Sequence, residues 1–472
     1  LARPSGLLPR RSEATTWPLI CHPVVVCWWH GSTRRIRPLG RRVRWHWLAP
    51  GLVPEVPMPN DPSVRRGADA PAGEGSAVRR AYKLRAYPTR PQEGRTVRLL
   101  ADHCDLYNAA LQERREAWRM RKVKVSYGDQ SAQLKEIRAA DPDGQGRQSF
   151  TAQQQTLRRL NATFSAFFNG VRHAKGKQRR VGYPRFKPYQ RFDQVLFVAG
   201  DGARWEPADG GRGGRWAHAT FQTVGRVKVS QHRPVVGRVK TLQVKREGRR
   251  WYVVVVTETE TVPLPPTGRS VGVDVGVARF LTTSDGEIVA NPRFLDAAQR
   301  RIVDLQRRKE RARPGSGNRR CLRRALAKEW RRVRNQRRDF HHKATRRLVD
   351  TCDGLALEDL RVAAMTSSAA GTVEKPGHNV AAKAGLNRSI LDAGWSQFMR
   401  ILVAKAESAG RQVTLVSPAS TSIDCHICGA RCTRPRQDTV ICPVHGGLDA
   451  DLNGARNIAA RAGLGSGQAS AA

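Results

Sequence analysis

The chain has 472 residues, enough for two or three domains rather than one. It carries 84 Lys and Arg against 40 Asp and Glu, a formal net charge of +44. Such an excess repels itself unless a polyanion neutralises it, which points to nucleic acid. No apolar run approaches the roughly 20 residues needed to span a bilayer, so no membrane partner is expected. The longest run, Trp17 to Trp29, is broken by Pro18, His22 and Pro23, and no small-residue cleavage site follows it, which argues against a signal peptide. Nine Cys do not make a disulfide framework. Four of them fall between Cys425 and Cys442, a spacing that suggests metal in a reducing cytosol.

Residues 1–76 hold 11 of the 27 Pro and five of the 11 Trp without helical or strand periodicity. They read as a disordered or non-native basic extension, with a short polar stretch starting at Met58; a nucleic-acid-binding arm is the alternative. Ala81–Tyr87 then reads as a strand ending at Pro88. Gln92 to Met120 carries apolar residues at helical spacing, and Ala152 to Val171 is a second such run. Between Gly182 and Val262 the period switches to two, and Trp251–Val256 is the strongest strand in the chain. This region predicts a small barrel or sandwich, closed by Pro263, Pro265 and Pro266.

From Ser270, SVGVDVGV and FLTTSD predict two strands of a hairpin. Arg300 to Arg347 holds 20 Lys/Arg and four acids in 48 residues, broken at RPGSG (313–317), which predicts a basic helical hairpin that tracks phosphates. Gly354–Leu357 reads as a buried strand, Leu386 to Gly410 as one amphipathic helix, and Gln412–Val416 as a last strand. The order strands, long helices, strand, helix, strand predicts an α/β layer with a mixed sheet.

Three acids stand at the edges of these apolar elements: Asp274 within VGVDVGV, Glu358 directly after LAL, and Asp451 at the start of a terminal helix. A carboxylate inside a buried strand is costly unless a cation or hydrogen bonds compensate. Any one of them has an ordinary reading as a turn, cap or surface acid. Together they offer the carboxylate set that two divalent ions need to activate water against a phosphodiester. A second group is Cys425-His-Ile-Cys428, then 13 residues, then Cys442-Pro-Val-His445. The two pairs, each with a following Gly (Gly429, Gly446), predict a zinc ribbon with one structural Zn²⁺. Cys432 could replace His445 as the fourth ligand, and His426 reads as a bystander.

The blocks GVDVGV, LALEDL, CHICG followed by CPVHG, and DADLNGARNI, taken in that order, resemble the TnpB (OrfB-type) proteins of insertion sequences, relatives of the type V CRISPR effectors. YNAALQERREAW, GYPRFK (182–187) and RNQRRDFHHKATRRLV resemble the family too, and the likeness covers about residues 80–462. It implies a multidomain α+β protein in which a RuvC-type (RNase H-like) α/β nuclease domain with an inserted zinc ribbon follows a β-barrel-like wedge domain that contains a helical recognition lobe. On that pattern 77–91 is the first wedge strand, 92–180 the recognition lobe and 181–265 the rest of the wedge. The nuclease domain spans 266–420 with the basic hairpin at 291–350, the ribbon 421–446 and the last nuclease motif 447–462; a disordered tail covers 463–472.

The resemblance also implies an activity: RNA-guided hydrolysis of double-stranded DNA in the bacterial cytoplasm, tied to transposition. The guide RNA would come from the protein's own locus. Asp274, Glu358 and Asp451 would hold two Mg²⁺, and Arg185, Lys187, Arg331, Arg334, Arg337 and Arg338 are candidate nucleic-acid contacts. Base pairing would read the sequence while the protein reads a flanking motif and the heteroduplex backbone. A nuclease-inactive regulator of transposition is the alternative. The sequence departs from the family pattern at His445, where Cys is usual, at Thr439-Val440-Ile441 and at Ala450.

Overall fold

The computed structural model describes residues 77–172, 181–208, 214–371 and 375–464. The extension expected over 1–76 and most of the tail at 463–472 lie outside the described residues. Chain order begins with β1 (Ala77–Tyr87), α1 (Arg90–Arg121), α2 (Tyr127–Ala132), α3 (Leu134–Ala140) and α4 (Phe150–Arg172). Six strands follow: β2 (Gln194–Val198), β3 (Ala203–Glu206), β4 (Trp216–Phe221), β5 (Gly225–Ser230), β6 (Arg238–Glu247) and β7 (Arg250–Glu260).

Pro88 ends β1, and Thr89 with Gln92 forms a capping box that starts α1. The seven strands make one antiparallel sheet in the order β2-β6-β7-β1-β5-β4-β3. Its two edge strands are consecutive in sequence. They are joined by a four-residue turn in which the Gly200 N–H donates to the Ala203 carbonyl at 3.0 Å, so the sheet must curl until its edges approach. Leu84, Phe197, Val253 and Val255 of the sheet share one continuous core with Leu99, Leu111, Leu157 and Leu160 of α1 and α4. Sheet and helices therefore pack as one body, although Ala152–Val171 and the strands are separate patterns in the sequence.

The second half contains β8 (Ser270–Val275), β9 (Arg279–Thr283), β10 (Ile288–Ala290), α5 (Phe294–Arg311), α6 (Gly317–Thr351) and β11 (Gly354–Glu358). After these come α7 (Val362–Met365), α8 (Val380–Ala393), α9 (Trp395–Ser408), β12 (Gln412–Val416), β13 (Thr439–Cys442), β14 (Gly446–Asp449) and α10 (Ala450–Arg461). Five strands form a mixed sheet, β10-β9-β8-β11-β12, in which β8, β11 and β12 run parallel. One face presents Val271, Val273, Leu355 and Leu357 to α6 and α9, where Phe280 meets Phe340 at 4.8 Å and Phe398 at 5.1 Å between centroids. The other face carries Gly272, Asp274, Ala356 and Glu358, and α10 lies on it.

The single helix expected over 386–410 is two. Gly394 adopts φ 69, which ends α8 and starts α9. A Cβ at that position would fall 3.0 Å from Arg337 Cδ and 3.1 Å from His341 Cε1, so the break lets the backbone press onto α6. The hydrophobic period continues across the break, which hides it from a sequence reading.

Gly272 is the other close approach. A Cβ there would overlap the Ala455 carbonyl oxygen and lie 2.5 Å from Ala459 N, both in the backbone of α10. The prediction is that Gly272→Ala destabilises the fold by about 1–3 kcal/mol, the usual cost of overpacking, and so lowers the melting temperature. A thermal melt indistinguishable from wild type would mean that α10 does not rest on this strand.

Candidate metal-ligating sites

Register places the acids. In the parallel pair β8–β11, Leu357 lies opposite Val273, so the next residues, Glu358 and Asp274, come level on the same face of adjacent strands. Asp451 sits in the first turn of α10, which crosses that face. A Cβ on Gly454 would be 3.3 Å from Asp274 Oδ2, so the helix backbone closes over the Asp274 carboxylate. Burial first, then the nearby Glu358 and Asp451 charges, push the Asp274 carboxyl up to about 7. Burial also raises Glu358 and Asp451 above the usual carboxylate range. Three acids on three elements thus share one recess.

Asp449, the other acid of the DAD motif, is used differently. It is the N-cap of α10, accepting from the Asp451 and Leu452 N–H groups at 3.0 Å each, and it pairs with Arg279 at 2.7 Å. Burial alone would raise its pKa, but those N–H groups and Arg279 hold it low. Arg279 also lies 3.6 Å from Asp451 Oδ2. Hard carboxylate oxygens crowded with raised pKa values are the donor set that suits a divalent cation such as Mg²⁺.

Cys425, Cys428, Cys442 and His445 converge, their ligand atoms all within 4.8 Å of one another. Cys428 Sγ is 3.6 Å from Cys442 Sγ, and His445 Nδ1 is 3.7 Å from Cys425 Sγ and 3.6 Å from Cys442 Sγ. Tetrahedral zinc with Zn–S near 2.3 Å and Zn–N near 2.0–2.1 Å requires ligand separations of about 3.5–3.8 Å, so this group could hold Zn²⁺. Cys432 lies outside this group of four with its thiol on the Ala430 carbonyl, and His445 is the fourth member of the group. His426 is no ligand. Its backbone N–H and Nδ1 each lie 2.9 Å from Asn453 Oδ1, and its Nε2 is 2.9 Å from Arg456, so it docks the ribbon onto α10.

The six basic candidates divide. Arg185 and Arg338 are exposed, and Arg331 is half-buried. Arg334 reaches Glu247 at 3.2 Å. Two are committed inside the protein, against the expectation. Lys187 lies 4.4 Å over the Tyr107 ring, and burial holds its ammonium down to about 8. Arg337 pairs at 2.5 Å with the buried Asp392, whose other oxygen accepts from Leu295 N at the start of α5. A charge run in sequence does not say which of its members face solvent. The site residues that the sequence does not single out are Arg279 and Asn453; the Asp-x-Asn spacing of 451–453 is the one available signal.

A strongly basic chain with an acid-lined α/β sheet and an inserted Cys/His ribbon defines a nucleic-acid-directed class with two potential metal sites. Residues 253–369 match the OrfB family model described as "Probable transposase", and residues 395–458 match "Cas12f1-like, TNB domain". The chain is 33% identical over 386 residues to the "Putative RNA-guided DNA endonuclease InsQ" of Escherichia coli K12, covering 80% of this chain and 91% of that one. It is 31% identical over 393 residues to a Streptomyces pristinaespiralis protein of the same description, covering 81% and 89%. Among solved structures, a Cas12f1–sgRNA–target DNA complex is similar at TM-score 0.46 and 12% identity, over 81% of this chain and 98% of that one. The chain belongs to the transposon-associated TnpB (OrfB-type) family. Among the described residues no helix is long and apolar enough to cross a membrane.

The raised Asp274 pKa has a measurable consequence. The folded protein keeps this proton up to about pH 7, whereas the unfolded chain releases it near the ordinary aspartate value of 3.8. Folding therefore binds a proton between those values, and the stability it contributes at low pH is lost as pH rises through 7. In Mg²⁺-free buffer that leaves any bound zinc in place, the wild-type melting temperature should fall more steeply from about pH 5 to about pH 8 than that of Asp274→Asn, which cannot ionise. Parallel slopes would remove Asp274 as a titrating group.

Proposed function

We propose that this chain is an RNA-guided DNA endonuclease of the RuvC (RNase H-like) type that hydrolyses DNA phosphodiesters with two Mg²⁺ ions held by Asp274, Glu358 and Asp451. The observation that carries the proposal is the convergence of these three carboxylates, with raised pKa values, at the ends of two parallel strands and the start of one helix. When bound, the ions supply an activated water and neutralise the leaving oxygen. The chain's own part is to hold its carboxylates close together and mutually oriented, so that a bound cation would offset the burial and repulsion that oppose their ionised forms. Asp449 takes the helix N–H groups and the shorter contact of Arg279, at 2.7 Å, which leaves Asp451 only the 3.6 Å contact with that guanidinium.

The four-ligand ribbon carries one structural zinc, and its docking through His426 and Asn453 would fix α10 and Asp451. The curled sheet at 77–91 and 181–265 serves as the wedge that holds a guide RNA from the protein's own locus, with 92–180 as the recognition lobe. Exposed cations such as Arg185 and Arg338 contact the backbone of the guide or of the double-stranded DNA target. The RNA-guided DNA endonuclease part of this reading is supported by the descriptions of the InsQ and Streptomyces relatives.

Two experiments test this. Asp274→Ala should abolish target cutting while leaving RNA binding near wild type, because the guide is held by Lys and Arg far from the acids. Losing a ligand removes several kcal/mol of transition-state stabilisation, so cutting should fall at least about a hundredfold. Survival at a tenth of the wild-type rate would refute the assignment. For the ribbon, purified protein should contain about one Zn per chain by elemental analysis, lost in the Cys425→Ser/Cys428→Ser double variant. Unchanged stoichiometry would exclude these ligands.

A further inference from the structure

The connection between β12 and the ribbon, residues 417–424, has no helix or strand of its own, yet it is held at many points. Arg461 of α10 donates to the Ser417 carbonyl at 3.2 Å and to the Ala419 carbonyl, and pairs with Asp424 at 3.4 Å. Asn457 donates to the carbonyls of Thr421 (2.8 Å) and Asp424 (2.7 Å), and Asn453 to that of Asp424 (2.8 Å). Ser420, a non-glycine residue, is held at φ 63. Such a conformation is disfavoured and persists where its surroundings over-determine it.

All of this fixes Thr421. The residue is 1% exposed, and its hydroxyl donates to Glu358 Oε1, with the Pro418 carbonyl at 3.2 Å as the competing acceptor. A hydroxyl has one proton, and the ionised carboxylate is the stronger acceptor. The bond also favours the charged form of Glu358 against the burial that opposes it.

We propose that Thr421 is a positioning residue for Glu358: α10 grips the 417–424 segment, and the Thr421 hydroxyl holds Oε1 so that Oε2 is left to the acid recess. The inference rests on the reading of Glu358 as a metal ligand. It makes α10 a double contributor, through its own Asp451 and through Asn457, Thr421 and Glu358.

The test compares full-length wild type, Thr421→Val, Thr421→Ser and Glu358→Gln. Mn²⁺ binding is measured by electron paramagnetic resonance on RNA-free protein, and the half-saturating Mg²⁺ for cutting on guide-loaded protein. Removing the group that orients a ligand typically weakens metal binding about 10- to 100-fold. Thr421→Val should weaken the Glu358-dependent Mn²⁺ site at least about tenfold and raise the Mg²⁺ requirement by a similar factor. Thr421→Ser, which keeps the hydroxyl, should stay near wild type. Should the valine variant melt early, Thr421→Ala repeats the comparison. Wild-type Mn²⁺ binding in the hydroxyl-less variants, with binding lost in Glu358→Gln, overturns the role of Thr421 and leaves the metal site standing. Wild-type binding in Glu358→Gln as well overturns the metal reading itself.

Discussion

The contact between the backbone of α10 and the strand at Gly272 is the constraint on which the second half of the molecule depends. A helix can lie this close to a sheet only where the strand has no side chain, and any Cβ at 272 would overlap helix backbone rather than a movable side chain. With the helix seated, Gly454 comes against Asp274 and Asp451 comes over the strand ends. Were α10 one side chain further out, the three acids would not share a recess, and their mutual repulsion would favour that separation. The packing of Ile458 against Ala356 and Val416 opposes it. Apolar burial on one stretch of the helix therefore holds like charges together on another.

This arrangement makes sense of the alternation in β8. Its odd-numbered valines, Val271 and Val273, feed the core against α6 and α9, and its even-numbered positions carry Gly272 and Asp274. The carboxylate is thus placed by the period-two geometry of a strand whose other face is fully buried, and a register slip would expose the valines to water. The same logic acts on β11, where Leu355 and Leu357 face the core and Ala356 and Glu358 face α10. The hydrophobic pattern fixes where the chemistry can be.

How much of this is legible in the sequence follows from the range of the interactions. The acids are visible because each interrupts, ends or opens an apolar element, and the ribbon because its Cys and His lie in two short pairs. The hairpin break at 313–317 was visible because Pro and Gly act locally. What stayed hidden depends on partners far along the chain. Gly394 breaks a helix to approach Arg337 and His341 on α6. Lys187 looks like a surface cation until Tyr107 is seen beneath it. Thr421 lies 63 positions from the carboxylate it bonds, and no local pattern marks it.

Charge shows the same division at a larger scale. The two-helix unit α5–α6 has a thin core, in which Ile302, Leu305, Leu322, Leu326 and Val333 are the main buried residues. Its cations far outnumber its acids, so the hairpin repels itself along its length. Its anchor is at the sheet end, where Arg337 meets Asp392, Asp392 meets the first turn of α5, and Phe340 packs on Phe280. Arg334 adds a second tie, to Glu247, which Lys83 also holds at 2.5 Å. Arginines near the anchor are thus spent on acids of the protein itself. Arg323, Arg324 and Arg332 are exposed and have no such acid partner among the described residues, so their charges repel one another with little internal compensation. The long basic hairpin is thus tied to the rest of the protein at one end, while further along it Glu310 and Glu329 pair with only a few of its cations.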